Sequence, residues 1–231
     1  MNSATLEMDR YGITVRAGNV ELAADVSVPA NADGIVLFAH GSGSSRHSPR
    51  NRRVAGFLNH GSIATILIDL LTEDEEVLDR QTAELRFNIE LLTARLIAIT
   101  DWIGGQRDLR RLGLGYFGAS TGAAAALGAA AERAERVRSV VSRGGRPDLA
   151  GSSLRRVLAP CLFIVGGADP VVIDLNRQAI AQLPHATERR LEIVPDATHL
   201  FEEPGALDRV CSLALDWFQA HLNVGNRREA V

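Results

Sequence analysis

Three residues that can do chemistry each follow a short apolar run. Ser120 stands in GASTG after LGLGYFG, Asp169 follows CLFIVGGA, and His199 follows LEIVPDAT. A serine hydroxyl is a weak nucleophile until a base takes its proton, and an imidazole oriented by a carboxylate is such a base. The order serine, aspartate, histidine therefore predicts acyl-transfer chemistry, with Ser120 as nucleophile, Asp169 as acid and His199 as base.

The pattern GASTG fits G-x-S-x-G, a turn that presents a serine between a strand and a helix. The turn is so tight that its flanking positions must be small, and Gly118 and Gly122 have no Cβ to clash. We expect strained backbone geometry at the serine, and a helix N-terminus whose dipole favours developing negative charge. The pattern alone is a weak signal, so the prediction depends on all three residues occurring in order.

A tetrahedral intermediate at Ser120 needs hydrogen-bond donors for its oxyanion. The backbone N–H of Thr121, directly after the nucleophile, is predicted as one donor, and the N–H of Ser42, in the loop after FAHG, as the other. His40 ends the preceding apolar run. We interpret it as structural, with a ring that bonds backbone groups and shapes the oxyanion loop.

Several charged residues compete for roles near these positions. Asp174 and Asp148 are rivals of Asp169 for the acid, and Asp196 is interpreted as shaping the loop before His199. Two arginines are candidate binders of a carboxylate or phosphate on the substrate, because a guanidinium fork matches such groups: Arg143, at the end of VRSVVSR, and Arg46, before the first crossover helix. The alternative is that these arginines pair with nearby acids or are solvated.

The elements that must position these residues alternate between strands and helices. Residues 11–28 alternate polar and apolar side chains, which predicts an antiparallel hairpin at a sheet edge. Short apolar runs suited to strands buried on both faces of a parallel sheet lie at 34–40, 63–69, 112–118, 137–143, 161–167 and 189–195. The pattern predicts a single doubly wound α/β domain, with mostly parallel strands and helices on both faces.

Helical patterns fall between the runs. One apolar stripe predicts a helix over 82–103, ended by Gly104 and Gly105, through Leu85, Ile89, Leu92, Leu96, Ile99 and Ile103. Thr72 and Glu75 form a capping box that predicts a helix start, and 205–222 reads as a closing amphipathic helix. Residues 1–10 and 223–231 are expected to be frayed.

Composition excludes several classes of partner. The 231 residues are 46% hydrophobic and 23% charged, with net charge −3, so we expect neither nucleic acid nor membrane as a partner. No signal peptide is expected from MNSATLEMDR, and the two cysteines, Cys161 and Cys211, favour a reducing cytoplasm over a disulfide framework. Metal-ligand spacing and dinucleotide or P-loop patterns are not seen, so no metal or cofactor is expected.

The motifs HGSG, GASTG, GGADP and ATHLF, in this order, resemble the α/β-hydrolase superfamily. The resemblance covers about residues 11 to 222, and the compact length without a large cap domain is most similar to the dienelactone-hydrolase-like branch. It implies the same nucleophile, acid, base and oxyanion residues. Dienelactone hydrolases carry cysteine at the turn between strand and helix that holds the nucleophile, which is called the nucleophile elbow. This chain has Ser120 there, which favours a general carboxylic-ester hydrolase.

The resulting prediction is a serine hydrolase that cleaves a small-molecule ester or lactone through an acyl-enzyme. Two alternatives remain. The same three residues can carry out other acyl chemistry, including amide or thioester hydrolysis and perhydrolysis. A ligand-binding module without turnover, built on a hydrolase scaffold, is an alternative from a different class; its signature would be an incomplete triad.

Overall fold

A computed structural model describes residues 7–222, which form one eight-stranded sheet in the order β1-β2-β4-β3-β5-β6-β7-β8. The pairs β1/β2 and β2/β4 are antiparallel and the other neighbours are parallel. The strands are β1 Met8–Ala17, β2 Val20–Pro29, β3 Gly34–Ala39, β4 Ile63–Ile68, β5 Gly113–Ala119, β6 Val137–Arg143, β7 Cys161–Gly166 and β8 Arg189–Val194.

Helices cover both faces of this sheet. They are α1 Pro49–His60, α2 Glu73–Thr82, α3 Ile89–Gly105, α4 Thr121–Glu132, α5 Pro170–Ile180 and α6 Ala206–Leu222, with 3-10 helices at Leu85–Phe87 and Pro147–Arg156. One buried cluster lies under α1 and α6, and a larger one lies under α3 and α4 on the opposite face. Every residue of β3 to β5 is buried, as expected of strands sandwiched between two helical layers.

The predicted strands and the edge hairpin are confirmed, but two details differ from prediction. The run 189–195 forms β8, an edge strand whose residues are mostly half-buried or exposed, because only β7 pairs with it. The helix predicted over 82–103 begins only at Ile89, since the Asn88 side chain accepts the Leu91 N–H and caps α3. Leu85 lies instead in the 3-10 helix Leu85–Phe87.

The predicted capping box and closing helix are confirmed. Thr72 Oγ1 accepts the Glu75 N–H at 3.2 Å, and the Glu75 carboxylate accepts the Thr72 N–H at 2.8 Å. The prediction of a frayed start is wrong for the residues from Met8 on, which belong to β1 and pair with β2. The predicted fraying of 223–231 lies outside the described residues. Between residues 7 and 222, no helix has the length and apolarity needed to cross a membrane.

Candidate active site

Ser120 occupies the turn between β5 and α4 in a strained backbone conformation. Its φ of 51° and ψ of −122° lie in a region that non-glycine residues rarely adopt, at a cost of about 1–3 kcal/mol. Two backbone hydrogen bonds hold it there: the Ser120 N–H donates to Arg143 O at 3.3 Å, and the Arg146 N–H donates to Ser120 O at 3.0 Å. Backbone groups at the end of β6 and just after it thus hold the strained turn in place.

The small residues around Ser120 are required by close backbone approach. A Cβ at Gly122 would lie 2.2 Å from Ala39 O, and one at Gly118 would lie 2.4 Å from the Ala123 Cα. A Cβ at Gly41 would lie 2.9 Å from the Ser120 Cβ. The loop after β3 therefore packs directly against the turn that carries Ser120.

His199 and Asp169 form a hydrogen-bonded pair at the same edge of the sheet. His199 Nδ1 lies 2.8 Å from Asp169 Oδ2, which leaves Nε2 as the ring nitrogen able to accept a proton. A Cβ at Gly144 would lie 3.6 Å from His199 Cε1, and Gly144 directly follows Arg143, whose carbonyl holds the Ser120 N–H. The histidine ring and the Ser120 turn thus lie against the same end of β6.

The rival aspartates are engaged elsewhere. Asp148 accepts hydrogen bonds from Arg146, with Oδ2 2.8 Å from Nη2, and Asp174 pairs on the surface with Arg177. Asp196 adopts a φ of 58° in the turn that leads to the histidine, as expected of a residue that shapes this loop. Of the aspartates considered from the sequence, only Asp169 contacts His199.

The two predicted oxyanion residues contact each other beside the turn that carries the nucleophile. Thr121 is the first residue of α4, so no helical carbonyl accepts its N–H. Ser42 follows Gly41 in the loop that packs against Ser120. Their hydroxyls meet, with Ser42 Oγ 3.1 Å from Thr121 Oγ1. The structure therefore brings these two residues together, although they are far apart in the chain.

His40 clamps the oxyanion loop to the end of β4. Its Nε2 accepts the Leu70 N–H at 3.0 Å, so the proton resides on Nδ1, which donates to Gly41 O at 2.9 Å. Burial lowers the pKa of the His40 imidazole, which keeps it neutral. Both ring nitrogens are occupied by backbone groups, in agreement with the structural interpretation.

The two candidate arginines have different environments. Arg46 forms an ion pair with Asp69 and lies 3.6 Å from Asp25, as in the ion-pairing alternative. Arg143 is only 7% exposed, and its Nε and Nη1 have no hydrogen-bond partner within residues 7–222. Its guanidinium carbon lies 6.0 Å from the ring centroid of Phe201. Burial, reinforced by the positive charge of Arg50, lowers the pKa of Arg143 to about 10.

A small cavity of about 30 Å³ adjoins the oxyanion residues, and the sequence pattern did not reveal it. Ser42 and Thr121 line one side, and α2 with the following 3-10 helix lines the other. Its apolar wall consists of Leu70, Leu71 and Leu92. The 3-10 helix in the cavity wall replaces the first part of the predicted 82–103 helix, and only the cap at Asn88 signals that break.

Buried ion pairs hold this wall in place. Asp79, almost fully buried, accepts the Arg86 backbone N–H at 3.0 Å and lies 2.6 Å from Arg86 Nε. Burial raises the pKa of the Asp79 carboxyl, but the hydrogen bonds from Arg86 outweigh burial, so the pKa is lowered. A second arginine, the buried Arg95, donates hydrogen bonds to the Glu75 carboxylate and to the carbonyl of Leu70.

We expect Asp79→Asn to reduce the free energy of unfolding by about 1.5–3 kcal/mol at pH 7, because Arg86 loses its hydrogen bonds to a charged group. A carboxylate with a lowered pKa stabilises the fold above its unfolded pKa of about 3.9, and this stabilisation is lost as pH falls through the folded pKa. The difference from wild type should therefore shrink near pH 3, as measured by urea denaturation. Asp208→Asn, in an exposed pair with Arg53, is the control; an equal loss there would contradict the prediction.

Comparison with known proteins places the fold in context. No family model matches the chain. Dienelactone hydrolase from Anabaena variabilis, known from a crystal structure, is 56% identical in sequence and superposes with a TM-score of 0.90. The alignment covers 93% of this chain and 99% of the Anabaena chain. Est1E from Butyrivibrio proteoclasticus shares the fold, with a TM-score of 0.74 at 14% sequence identity. The alignment covers 90% of this chain and 98% of the Est1E chain.

Two curated relatives are proteins of Mycobacterium tuberculosis, from strains CDC 1551 / Oshkosh and H37Rv, provisionally named phosphoribosyl transferases. They are 57% identical over 210 residues, which is 91% of this chain but 46% of theirs. The chain thus spans about half the length of these relatives. The Anabaena enzyme, by contrast, is matched from end to end. By this similarity and by its sheet, the chain belongs to the dienelactone-hydrolase-like branch of the α/β-hydrolase superfamily.

Proposed function

We propose that the chain hydrolyses a small carboxylic ester or lactone through an acyl-enzyme on Ser120. The observation that carries the proposal is the 2.8 Å hydrogen bond between His199 and Asp169, at the sheet edge where Ser120 is held in strained geometry. A neutral imidazole with Nδ1 bound to a carboxylate presents Nε2 as a base, and a serine at a helix N-terminus is the group it would activate.

The reaction divides into two similar halves. Ser120 Oγ attacks the ester carbonyl while His199 Nε2 takes the hydroxyl proton, and Asp169 stabilises the imidazolium. The backbone N–H groups of Ser42 and Thr121 donate to the oxyanion of the tetrahedral intermediate. His199 then protonates the leaving alcohol as the carbon–oxygen bond breaks. Water attacks the acyl-enzyme in the same way, which releases the acid and restores the Ser120 hydroxyl.

The alternatives are separated by substrate competition and ligand binding. Hydrolysis of amides or thioesters and perhydrolysis would use the same three residues. An assay in which an ester competes with each of these other substrates would show which reaction the protein prefers. A binding module would retain ligand affinity in Ser120→Ala and show no turnover. We assign no transferase activity to this chain, because the transferase name belongs to proteins of which it spans 46%.

The proposal extends to an anionic substrate group held by Arg143 and not by Arg46. Arg46 already has a carboxylate partner in Asp69, whereas two nitrogens of Arg143 have none within residues 7–222. A buried cation without a partner is unfavourable unless something offsets its desolvation. A substrate carboxylate or phosphate beside the His199 loop would provide that partner.

We expect Arg143→Gln to lower kcat/KM for mono-p-nitrophenyl succinate by about 10- to 100-fold, since a hydrogen bond to a charged group contributes about 1.5–3 kcal/mol. Neutral p-nitrophenyl acetate should change little. Arg146→Gln is the matched control, because its guanidinium is already held by Asp148. Equal changes for the anionic and the neutral ester would refute anion recognition and leave Arg143 as a structural residue packed on Phe201.

The experiment that tests the proposed function is steady-state hydrolysis of p-nitrophenyl esters from acetate to octanoate, by wild type beside Ser120→Ala. Turnover that requires Ser120 supports the proposal. The chain-length profile then measures which acyl groups the site accepts.

A further inference from the structure

The two residues whose amides are assigned to the oxyanion also share a hydrogen bond through their side chains. Ser42 Oγ and Thr121 Oγ1 lie 3.1 Å apart although 79 positions separate them in the chain. Both line the cavity beside the nucleophile. Thr121 is 3% exposed and is fixed as the first residue of α4, and Ser42 is half-buried. A side-chain contact thus joins the two residues whose amides are assigned to the oxyanion.

Counting hydrogens shows that this hydroxyl pair has a donor left over. Each hydroxyl carries one hydrogen, and the bond between them uses one. Whichever hydroxyl accepts that bond keeps its own hydrogen free to donate. Neither oxygen makes another hydrogen bond within the part of the chain that the structure describes. One O–H of the pair is therefore not used within the described part of the protein.

We propose that the Ser42–Thr121 hydroxyl pair is a third donor to the tetrahedral oxyanion, in addition to the two amides; this rests on the proposed serine-hydrolase function. Thr121 directly follows the nucleophile, and Ser42 follows Gly41, whose backbone packs against the Ser120 Cβ. In this proposal the remaining hydrogen of the pair donates to the anionic oxygen that forms at the Ser120 position. A donor held in place before the charge develops needs little reorganisation when it forms.

The test compares Ser42→Ala, Thr121→Val and the double variant with wild type, using p-nitrophenyl acetate. The double variant should lose about 10- to 100-fold in kcat with KM little changed, because the donor acts mainly on the transition state. Either single variant should lose less, since the remaining hydroxyl still carries a hydrogen. Thr121→Ser, which keeps the hydroxyl, should lose less rate than Thr121→Val.

A second readout separates oxyanion binding from a structural role. A trifluoromethyl ketone forms a tetrahedral adduct with the serine, and its inhibition constant should weaken in the double variant by the same factor as kcat. Thermal denaturation checks that the variants fold. A double variant that keeps wild-type kcat, or that loses rate without weaker ketone binding, would overturn the inference. A wild type no faster than Ser120→Ala would instead overturn the proposed function, and the third donor with it.

Discussion

Replacing Ser120 with alanine is expected to reduce kcat/KM for p-nitrophenyl esters by about 10⁴- to 10⁶-fold, because no other group forms the acyl-enzyme. The fold should remain intact. Alanine removes only the hydroxyl, and the hydrogen bonds that hold this turn run through backbone atoms of residue 120, Arg143 and Arg146. The residual rate would come from the oxyanion donors and from substrate binding.

The control for this experiment is Ser152→Ala, which removes an exposed hydroxyl from the 3-10 helix Pro147–Arg156. It should hydrolyse the esters like wild type. A fluorophosphonate probe, which reacts with activated serines, should label wild type and the control but not Ser120→Ala, as read by intact mass. Equal residual hydrolysis by wild type and Ser120→Ala would refute the serine mechanism for these esters and favour the binding module.

Replacing Asp169 with asparagine is expected to lower kcat by about 10³- to 10⁴-fold with little change in KM. The amide is neutral, so it cannot stabilise the imidazolium, and its NH₂ group can donate to the histidine and favour the wrong tautomer. Nε2 of His199 would then carry a proton and could not accept one from the serine. The effect should appear in kcat, because the histidine acts in the chemical step and not in substrate binding.

Two rival aspartates of the chain supply matched controls. Asp174→Asn alters an exposed pair on α5 and Asp148→Asn alters the partner of Arg146. Neither carboxylate contacts His199, so both variants should keep kcat within a few-fold of wild type. If Asp148→Asn or Asp174→Asn lost as much rate as Asp169→Asn, the assignment of the acid would be wrong.

The sequence by itself determined the order of strands and helices and the ends of the strands. Alternation and apolar runs are local properties, and parallel strands separated by helices can close into few sheets. The carboxyl ends of such strands meet at one edge, so Ser120, Asp169 and His199 could be predicted as neighbours from their places after the runs. Gly118 and Gly122 indicate that backbone segments pass close to the nucleophile elbow, as this turn requires.

Contacts between distant segments were decided only by the tertiary structure. Whether Arg46 binds substrate or pairs with an acid depends on Asp69, which reaches it from the end of another strand. The burial of Arg143 follows from packing on Phe201, and the choice of Asp169 over Asp148 follows from the path of the His199 loop. A local sequence pattern gives no distance between side chains that are far apart in the chain. The sequence could therefore only name these arginines and aspartates as candidates.

The cavity and the hydroxyl pair also required the structure. A continuous helical stripe through Leu85 and Ile89 concealed the break before α3, because the apolar periodicity continues across it. Hydrogen bonds between Arg86 and Asp79 hold the segment before the break. Ser42 and Thr121 were predicted for their backbone amides from motif position alone. That their side chains meet depends on how closely the loop after β3 packs on the elbow, and a sequence does not encode that distance in any short pattern.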